Sequence, residues 1–253
     1  MYMTKVAMFF LAFAWTGCTT SPPSYTASTT ASPATPTSSP EQIAIQAKEI
    51  VTTFAENVES TRDKTLGPIP SIEIKNTPQQ ISYQYESNSI TVPTWAEQPE
   101  PVKEIFRIFS SGNDDETKIF FELFFNRFLV AHEASHWFQH KTWKGPPPDL
   151  YALEKDANEL AVAFWRTQPD GEELLKNLEQ LAVNAYEALP DPTPPGQDPS
   201  IYFGKNYEQL GADPIKYGYY QFKFMADALR KRSQLDFNRM ASRPYSGNEV
   251  IAK

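Results

Sequence analysis

The stretch HEASH places His132 and His136 four positions apart, with Glu133 directly after the first histidine. Residues four apart share one face of a helix, so both imidazoles can reach a single ion. Zinc binds imidazole nitrogens at about 2.0–2.1 Å and takes about four ligands in total. Because Glu133 is rotated by one residue from His132, its carboxylate can reach a water molecule on the metal without binding the metal. The spacing indicates a helical zinc site with Glu133 as the candidate general base.

A catalytic zinc site needs a third protein ligand and an open fourth position. We exclude His140, because a residue eight positions after His132 lies about 12 Å further along the same helix axis. We predict that Glu154 is the third ligand. It follows His136 by 18 residues, and the Pro-rich segment 145–148 between them can turn the chain back.

The residues around Glu154 form the stretch EKDAN. Asn158 lies four positions after Glu154 and therefore shares its helix face. We predict that Glu154 binds the ion, while Asn158 does not bind it but accepts a hydrogen bond from, or orients, a ligating histidine. Two alternatives stay open at this point. Asp156 is a rival ligand, and Glu154 is a solvated acid if it follows the usual behaviour of glutamate.

The pattern of two histidines, a later glutamate and then Ala-Asn resembles that of the gluzincin zinc metallopeptidases, and most of all their compact minigluzincin type. The metzincin pattern, which continues with Gly and His, is excluded because Gln139 and Thr142 occupy those places. The resemblance covers about residues 72–165. Trp137, directly after the second histidine, departs from the small or aliphatic residue expected there.

The resemblance implies that His132, His136 and Glu154 bind one Zn²⁺ per chain and that Glu133 activates the zinc-bound water. It also implies an edge strand, within Tyr85–Val92, that holds an extended peptide substrate by β-addition. The expected reaction is zinc-dependent hydrolysis of peptide bonds.

Peptide hydrolysis needs a hydrogen-bond donor for the developing oxyanion besides the metal. Gluzincins commonly use a downstream Tyr or His, and no histidine is left over for this role in the chain. The C-terminal third holds five candidate tyrosines: Tyr202, Tyr207, Tyr217, Tyr219 and Tyr220. We predict Tyr217, because it stands near the start of the last predicted helix. The alternative for each tyrosine is a packing role in the core.

The first eighteen residues predict a signal peptide, with Lys5 followed by an apolar run over 6–15 that is too short to span a bilayer. The run leads to WTGC, which resembles the lipobox of bacterial lipoproteins, although Trp15 departs from the usual small aliphatic residue. We therefore expect Cys18, the single cysteine, to be lipidated and to anchor the protein outside the cytoplasm on a bacterial membrane. The alternative is an ordinary secretion signal with an incidental cysteine.

Three further segments follow from composition. In residues 19–40, 18 of the 22 residues are Ser, Thr or Pro and none is charged, which predicts a disordered tether. Residues 41–243 are expected to form one metallopeptidase-like domain, and residues 244–253 a flexible tail.

The chain has 23 Lys and Arg against 31 Asp and Glu, a net charge of −8. This balance argues against a nucleic-acid partner.

Periodicity predicts an α+β fold: a small N-terminal sheet with an edge strand, packed on a mainly helical, zincin-like domain. The predicted helices are 41–62, 101–109, a buried central helix from Asn113 through the HEASH stretch, 149–166, 171–189 and 213–237. The predicted strands are 72–74, 81–85 and 90–92.

We expect a monomer that acts on a peptide or protein substrate. Two other interpretations stay open: a non-hydrolytic, zinc-containing envelope lipoprotein that binds a partner, and a helical lipoprotein without a metal.

Overall fold

The computed structural model describes residues 38–110, 113–145 and 149–243. The predicted signal peptide with Cys18, most of the tether and the C-terminal tail lie outside these residues. Within the described ranges, no helix is both long and apolar enough to cross a bilayer.

The described chain is mainly helical with one small sheet, so the predicted α+β class is confirmed. The elements are α1 (Pro40–Arg62), β1 (Ser71–Ile74), β2 (Ser82–Gln84), β3 (Ser89–Val92), α2 (Glu100–Phe109), α3 (Asp114–Phe121), a π-helix (Glu122–Phe128), α4 (Leu129–Thr142), α5 (Leu150–Trp165), α6 (Gly171–Ala188), α7 (Pro199–Lys205), α8 (Tyr207–Gly211), α9 (Pro214–Arg230), a 3₁₀ turn (Arg232–Gln234) and α10 (Phe237–Ser242).

Helix α1 begins with a capping box that the periodicity did not reveal. The Ser39 side chain accepts from the Gln42 backbone, and the Gln42 side chain accepts from the Ser39 backbone. These reciprocal bonds satisfy two backbone donors at the helix start. Pro40, the last residue of the predicted tether, occupies the first turn, where its missing N–H does no harm.

The strand order β1-β3-β2 corrects the predicted edge strand. Strand β3 pairs with β1 in parallel and with β2 in antiparallel register, so the centre of the sheet lies within Tyr85–Val92 and β2 is an edge. The reason lies in burial: all four residues of β3 are buried, whereas those of β1 alternate between exposed and half-buried. A strand that is covered on both faces is favoured at the centre.

The predicted buried central helix is confirmed and runs from α3 through the π-helix into α4. The Asn113 side chain caps its start by accepting from the backbone amides of Asp115 and Glu116. The five phenylalanines predicted to be buried are all buried: Phe120, Phe121, Phe124, Phe125 and Phe128. Ile119, at the start of the apolar stretch, is instead exposed. The seven-residue π-helix directly precedes α4, which carries both histidines.

The last predicted helix is too long. Helix α9 ends at Arg230, and a separate helix α10 follows, with Asp236 capping its start by accepting from the backbone amide of Arg239. The buried Phe237 packs its ring against Phe54, which fixes α10 on α1. Helices α7 and α8 fill a region for which no helix was predicted.

Candidate metal centre

Three ligand-type side chains converge between α4 and α5. The Nε2 atoms of His132 and His136 are 3.0 Å apart. The Oε2 atom of Glu154 lies 3.4 Å from the first of these nitrogens and 3.6 Å from the second. Two bonds of about 2.0–2.1 Å that meet at a tetrahedral angle would place their ligand atoms about 3.3 Å apart. The three side chains therefore fit one metal ion, as the sequence predicted for His132, His136 and Glu154.

The local structure explains why these side chains meet. The i, i+4 spacing puts both histidines on one face of α4. The chain then turns back near Gly145, which has a φ of +116°, and Asp149 caps α5 by accepting from the amide of Tyr151. Ala157, fully buried on α5, is the small residue expected where two helices approach closely.

The ligand group is buried, with exposed fractions of 3% for His132, 6% for His136 and 1% for Glu154. Burial raises the pKa of Glu154, but His136 and then His132 outweigh this effect and hold that pKa well below its usual value. Burial lowers the pKa of His136, yet the Glu154 carboxylate raises it to about 9. The pocket thus favours a positive charge beside the carboxylate, which a cation with two neutral imidazoles would also supply.

Glu133 lies beside the ligand group without being part of it. Its Oε2 accepts a hydrogen bond of 2.7 Å from the backbone amide of Tyr83 in β2. Burial raises the pKa of Glu133, and the nearby His132 opposes that rise. The three ligands and Glu133 line one recess, whose other walls are Ile81, Ser82, Phe124, Leu129, Tyr217 and Gln221. The candidate general base therefore faces the same space as the ligands.

Tyr217 also lines this recess, as its predicted role requires. Its hydroxyl lies 3.4 Å from that of Tyr207, and burial raises its pKa well above the ordinary value, so it remains a hydrogen-bond donor. Two other candidate tyrosines are occupied elsewhere: Tyr220 meets the Thr193 hydroxyl at 2.6 Å, and the Tyr219 ring packs on Tyr186.

The hydrogen-bond partner predicted for Asn158 is wrong. Its amide nitrogen donates to the main-chain carbonyl of Glu154 over 3.0 Å and to Oε1 of Gln221 over 3.4 Å. Neither bond reaches a histidine, and Nδ1 of His132 has no hydrogen-bond partner among the described residues. The reason is local: an asparagine at i+4 bonds readily to the carbonyl of residue i on its own helix.

Gln139 holds His136 in place of Asn158. Its Oε1 lies 2.8 Å from Nδ1 of His136, and its Nε2 donates to the Leu153 carbonyl and to Asp156 Oδ2. Metal-binding histidines usually donate their second ring N–H to such an acceptor. Asp156, the rival ligand, therefore accepts a hydrogen bond from the glutamine that holds His136, and it also pairs with Arg243. The i, i+3 spacing from His136 was the signal for Gln139.

His140 points away from the ligand group, in agreement with its exclusion. Its Nδ1 lies 3.1 Å from the Tyr83 hydroxyl, and its ring packs on Tyr85.

Comparison of the chain with protein-family models, with curated proteins and with solved structures finds no match. The chemistry available at the centre follows from its residues: a buried group that could hold a metal ion, a carboxylate beside it and a tyrosine that lines the same recess.

Proposed function

We propose that the protein is a zinc-dependent peptidase of gluzincin type. The observation that carries this proposal is the spacing of 3.0–3.6 Å among the three ligand atoms, with Glu133 in the same recess. Two imidazoles and one carboxylate are a ligand set that proteins use for catalytic zinc. Zinc bound in this way polarises a carbonyl oxygen and lowers the pKa of water to about 7.

Glu133 would take a proton from the attacking water and return it to the leaving amine. Its position supports this role because its carboxylate faces the recess while all three ligand positions are filled by other residues. The Tyr83 amide holds one carboxylate oxygen and leaves the other for the water.

Tyr217 would donate its hydroxyl to the oxyanion that develops on the substrate carbonyl. The neighbouring Tyr207 hydroxyl is bound to Glu154 over 3.1 Å, which leaves Tyr217 as the tyrosine that faces the recess.

The substrate would be an extended segment of a peptide or protein. Strand β2 is an edge of the sheet, and its residue Ser82 lines the recess. In the described part of the chain, no strand covers the outer side of β2. An extended backbone added there would run past the proposed catalytic groups and beside the Tyr83 amide, which is already bound to Glu133.

We further propose that the protein is attached to a bacterial membrane, outside the cytoplasm, through a lipid on Cys18. The support is the sequence alone: one positive charge, a short apolar run and the single cysteine at the end of that run. Metabolic labelling with a fatty acid tests the proposal, since Cys18→Ala should abolish the label. A mature N-terminus several residues away from Cys18 would contradict it.

A second candidate function is a zinc-containing lipoprotein that binds a partner without hydrolysis. It is favoured by the deep burial of the centre, where none of the three ligands or Glu133 is more than 6% exposed. One experiment separates the two functions: zinc content is measured together with the cleavage of unstructured proteins. The peptidase proposal expects about one zinc per chain and cleavage that a chelator abolishes. One zinc per chain without cleavage across a broad peptide library would favour the partner-binding function.

A further inference from the structure

Both carboxylate oxygens of Glu154 have hydrogen-bond donors outside the two helices that carry the ligand group. The Tyr207 hydroxyl in α8 donates to Oε1 over 3.1 Å, and the Gln221 amide in α9 donates to Oε2 over 2.9 Å. Oε2 is also the oxygen that faces the two histidines, at 3.4 and 3.6 Å. The carboxylate is therefore held with one oxygen toward the histidines and the other turned onto a tyrosine.

Asn158 determines which end of the Gln221 amide faces Glu154. The Asn158 atom that lies 3.0 Å from the main-chain carbonyl of Glu154 must be a donor, and is thus the amide nitrogen. The same nitrogen lies 3.4 Å from the Gln221 side chain, so the Gln221 atom beside it must be the oxygen. This leaves Nε2 of Gln221 to donate to the carboxylate.

The two donors are neutral and buried, with exposed fractions of 5% for Gln221 and 8% for Tyr207. A buried carboxylate must be hydrogen-bonded or paired to be tolerated. Neutral donors satisfy its oxygens without cancelling its charge, whereas a lysine or arginine would compete with a cation. The arrangement keeps the negative charge of Glu154 available to a metal ion.

We propose that Gln221 and Tyr207 are positioning residues that hold Glu154 as a ligand through one oxygen and thereby set the metal affinity of the site. This inference rests on the proposed role of Glu154 as a zinc ligand. Loss of a side chain that hydrogen-bonds a metal ligand typically lowers metal affinity by about 10–100-fold. Gln221→Leu removes the donor to Oε2 at similar side-chain size, so zinc should bind about 10–100-fold more weakly. Tyr207→Phe frees Oε1, which can then turn toward the metal as a second ligand atom.

The test uses the full-length protein and two readouts that do not depend on turnover. Competition with a chromophoric chelator gives the dissociation constant for Zn²⁺, and the visible absorption of Co²⁺ bound at the same site reports the number of ligand atoms. Tyr207→Phe should weaken the Co²⁺ absorption, because a fifth ligand atom reduces its intensity. The matched control is Gln98→Leu, since Gln98 is also buried but its amide atoms have no partner among the described residues. This control should leave both readouts unchanged.

The outcomes separate this inference from the proposed function. A wild-type protein that binds no zinc overturns the metal site and, with it, the positioning role. A wild-type protein that binds zinc, together with a Gln221→Leu variant of equal affinity, overturns only the positioning role. Should Gln221→Leu fail to fold, an unchanged Co²⁺ spectrum in Tyr207→Phe would overturn that role as well.

Discussion

The backbone amide of Tyr83 donates a 2.7 Å hydrogen bond to Oε2 of Glu133 and so joins the edge strand β2 to α4. The strand residue is paired with Ile90 of β3 on its other side. Glu133 is therefore fixed relative to the whole sheet as well as to its own helix. A general base has to be positioned to within hydrogen-bonding reach of its proton, and this bond supplies such a restraint.

Glu133→Gln should retain zinc and lose about 10²–10⁴-fold in peptide hydrolysis, the usual contribution of general-base catalysis. The glutamine keeps the size of the side chain and can still accept from the Tyr83 amide, but it cannot take a proton. Turnover and zinc content of the purified variant check this expectation. The control is Glu122→Gln, a half-buried residue of the π-helix that does not line the recess. Undiminished cleavage by Glu133→Gln would refute the mechanism.

His136→Ala should abolish stoichiometric zinc, whereas His140→Ala should leave the zinc content unchanged. The two histidines lie on the same helix, but only His136 faces Glu154, at 3.6 Å, and His140 instead meets the Tyr83 hydroxyl at 3.1 Å. Elemental analysis after dialysis measures the difference. A loss of zinc in His140→Ala would show that the ligand set has been assigned wrongly.

The ligand group could be predicted because its geometry is mostly local. The spacing of His132 and His136 fixes their common face on any helix, and Glu154 required only that the chain turn back. The partners of these ligands could not be predicted in the same way. Gln221 meets Glu154 across 67 residues of sequence, and Tyr207 meets it across 53. Such contacts depend on how the later helices pack, which helical spacing does not encode.

The errors in the predicted fold have different physical origins. The π-helix was missed because a run of phenylalanines is apolar at any helical period, so its wider turn leaves no pattern. Helix α7 was missed although its signal was present: Asp198 and Pro199 begin it in the same way as Asp213 and Pro214 begin α9. The order of the strands required tertiary information, since β1 pairs with β3 and not with its neighbour in sequence.

Removal of the metal should destabilise the protein by an amount that grows with the logarithm of the ratio of free zinc to the dissociation constant. At free zinc 100 times the dissociation constant, binding stabilises the folded state by about 2.7 kcal/mol, or roughly 5–10 °C in Tm for a domain of this size. Glu154→Gln removes the charged ligand, so the zinc-dependent rise in Tm should largely disappear at the same zinc concentration. Thermal unfolding in the presence of zinc and in the presence of a chelator measures the zinc-dependent change in Tm for the wild type and for the variant. Glu159→Gln, on the same helix but paired with Lys231, should behave like the wild type.

Gly171→Ala should destabilise the fold by about 1–3 kcal/mol, the usual cost of overpacking. A Cβ at Gly171 would collide with the main-chain carbonyl of Trp165, which closes the turn between α5 and α6. Gly204→Ala is the matched control, because a Cβ there meets no atom within 4 Å. Near the end of α7, where φ is not positive, the control should be neutral or stabilising by up to about 1 kcal/mol. Chemical denaturation measures the free energy of unfolding of both variants. Equal free energies of unfolding would contradict the close contact between Gly171 and the Trp165 carbonyl.

Tyr217→Phe should lower turnover without displacing zinc. Tyr217 lines the recess and its hydroxyl lies 3.4 Å from that of Tyr207, whereas the Tyr207 hydroxyl donates to Glu154 itself. Loss of a donor to a developing oxyanion typically reduces kcat by about 10²–10³-fold. Tyr219→Phe is the control, since Tyr219 is on the same helix and packs on Tyr186 away from the recess.

The kinetic parameters distinguish this role of Tyr217 from a structural one. A donor that acts only in the transition state should lower kcat with little change in KM, whereas a loosened recess should raise KM as well. If Tyr217→Phe keeps the turnover of the wild type, the oxyanion donor is another residue. If it loses zinc, Tyr217 supports the ligand group through Tyr207 and is not the donor.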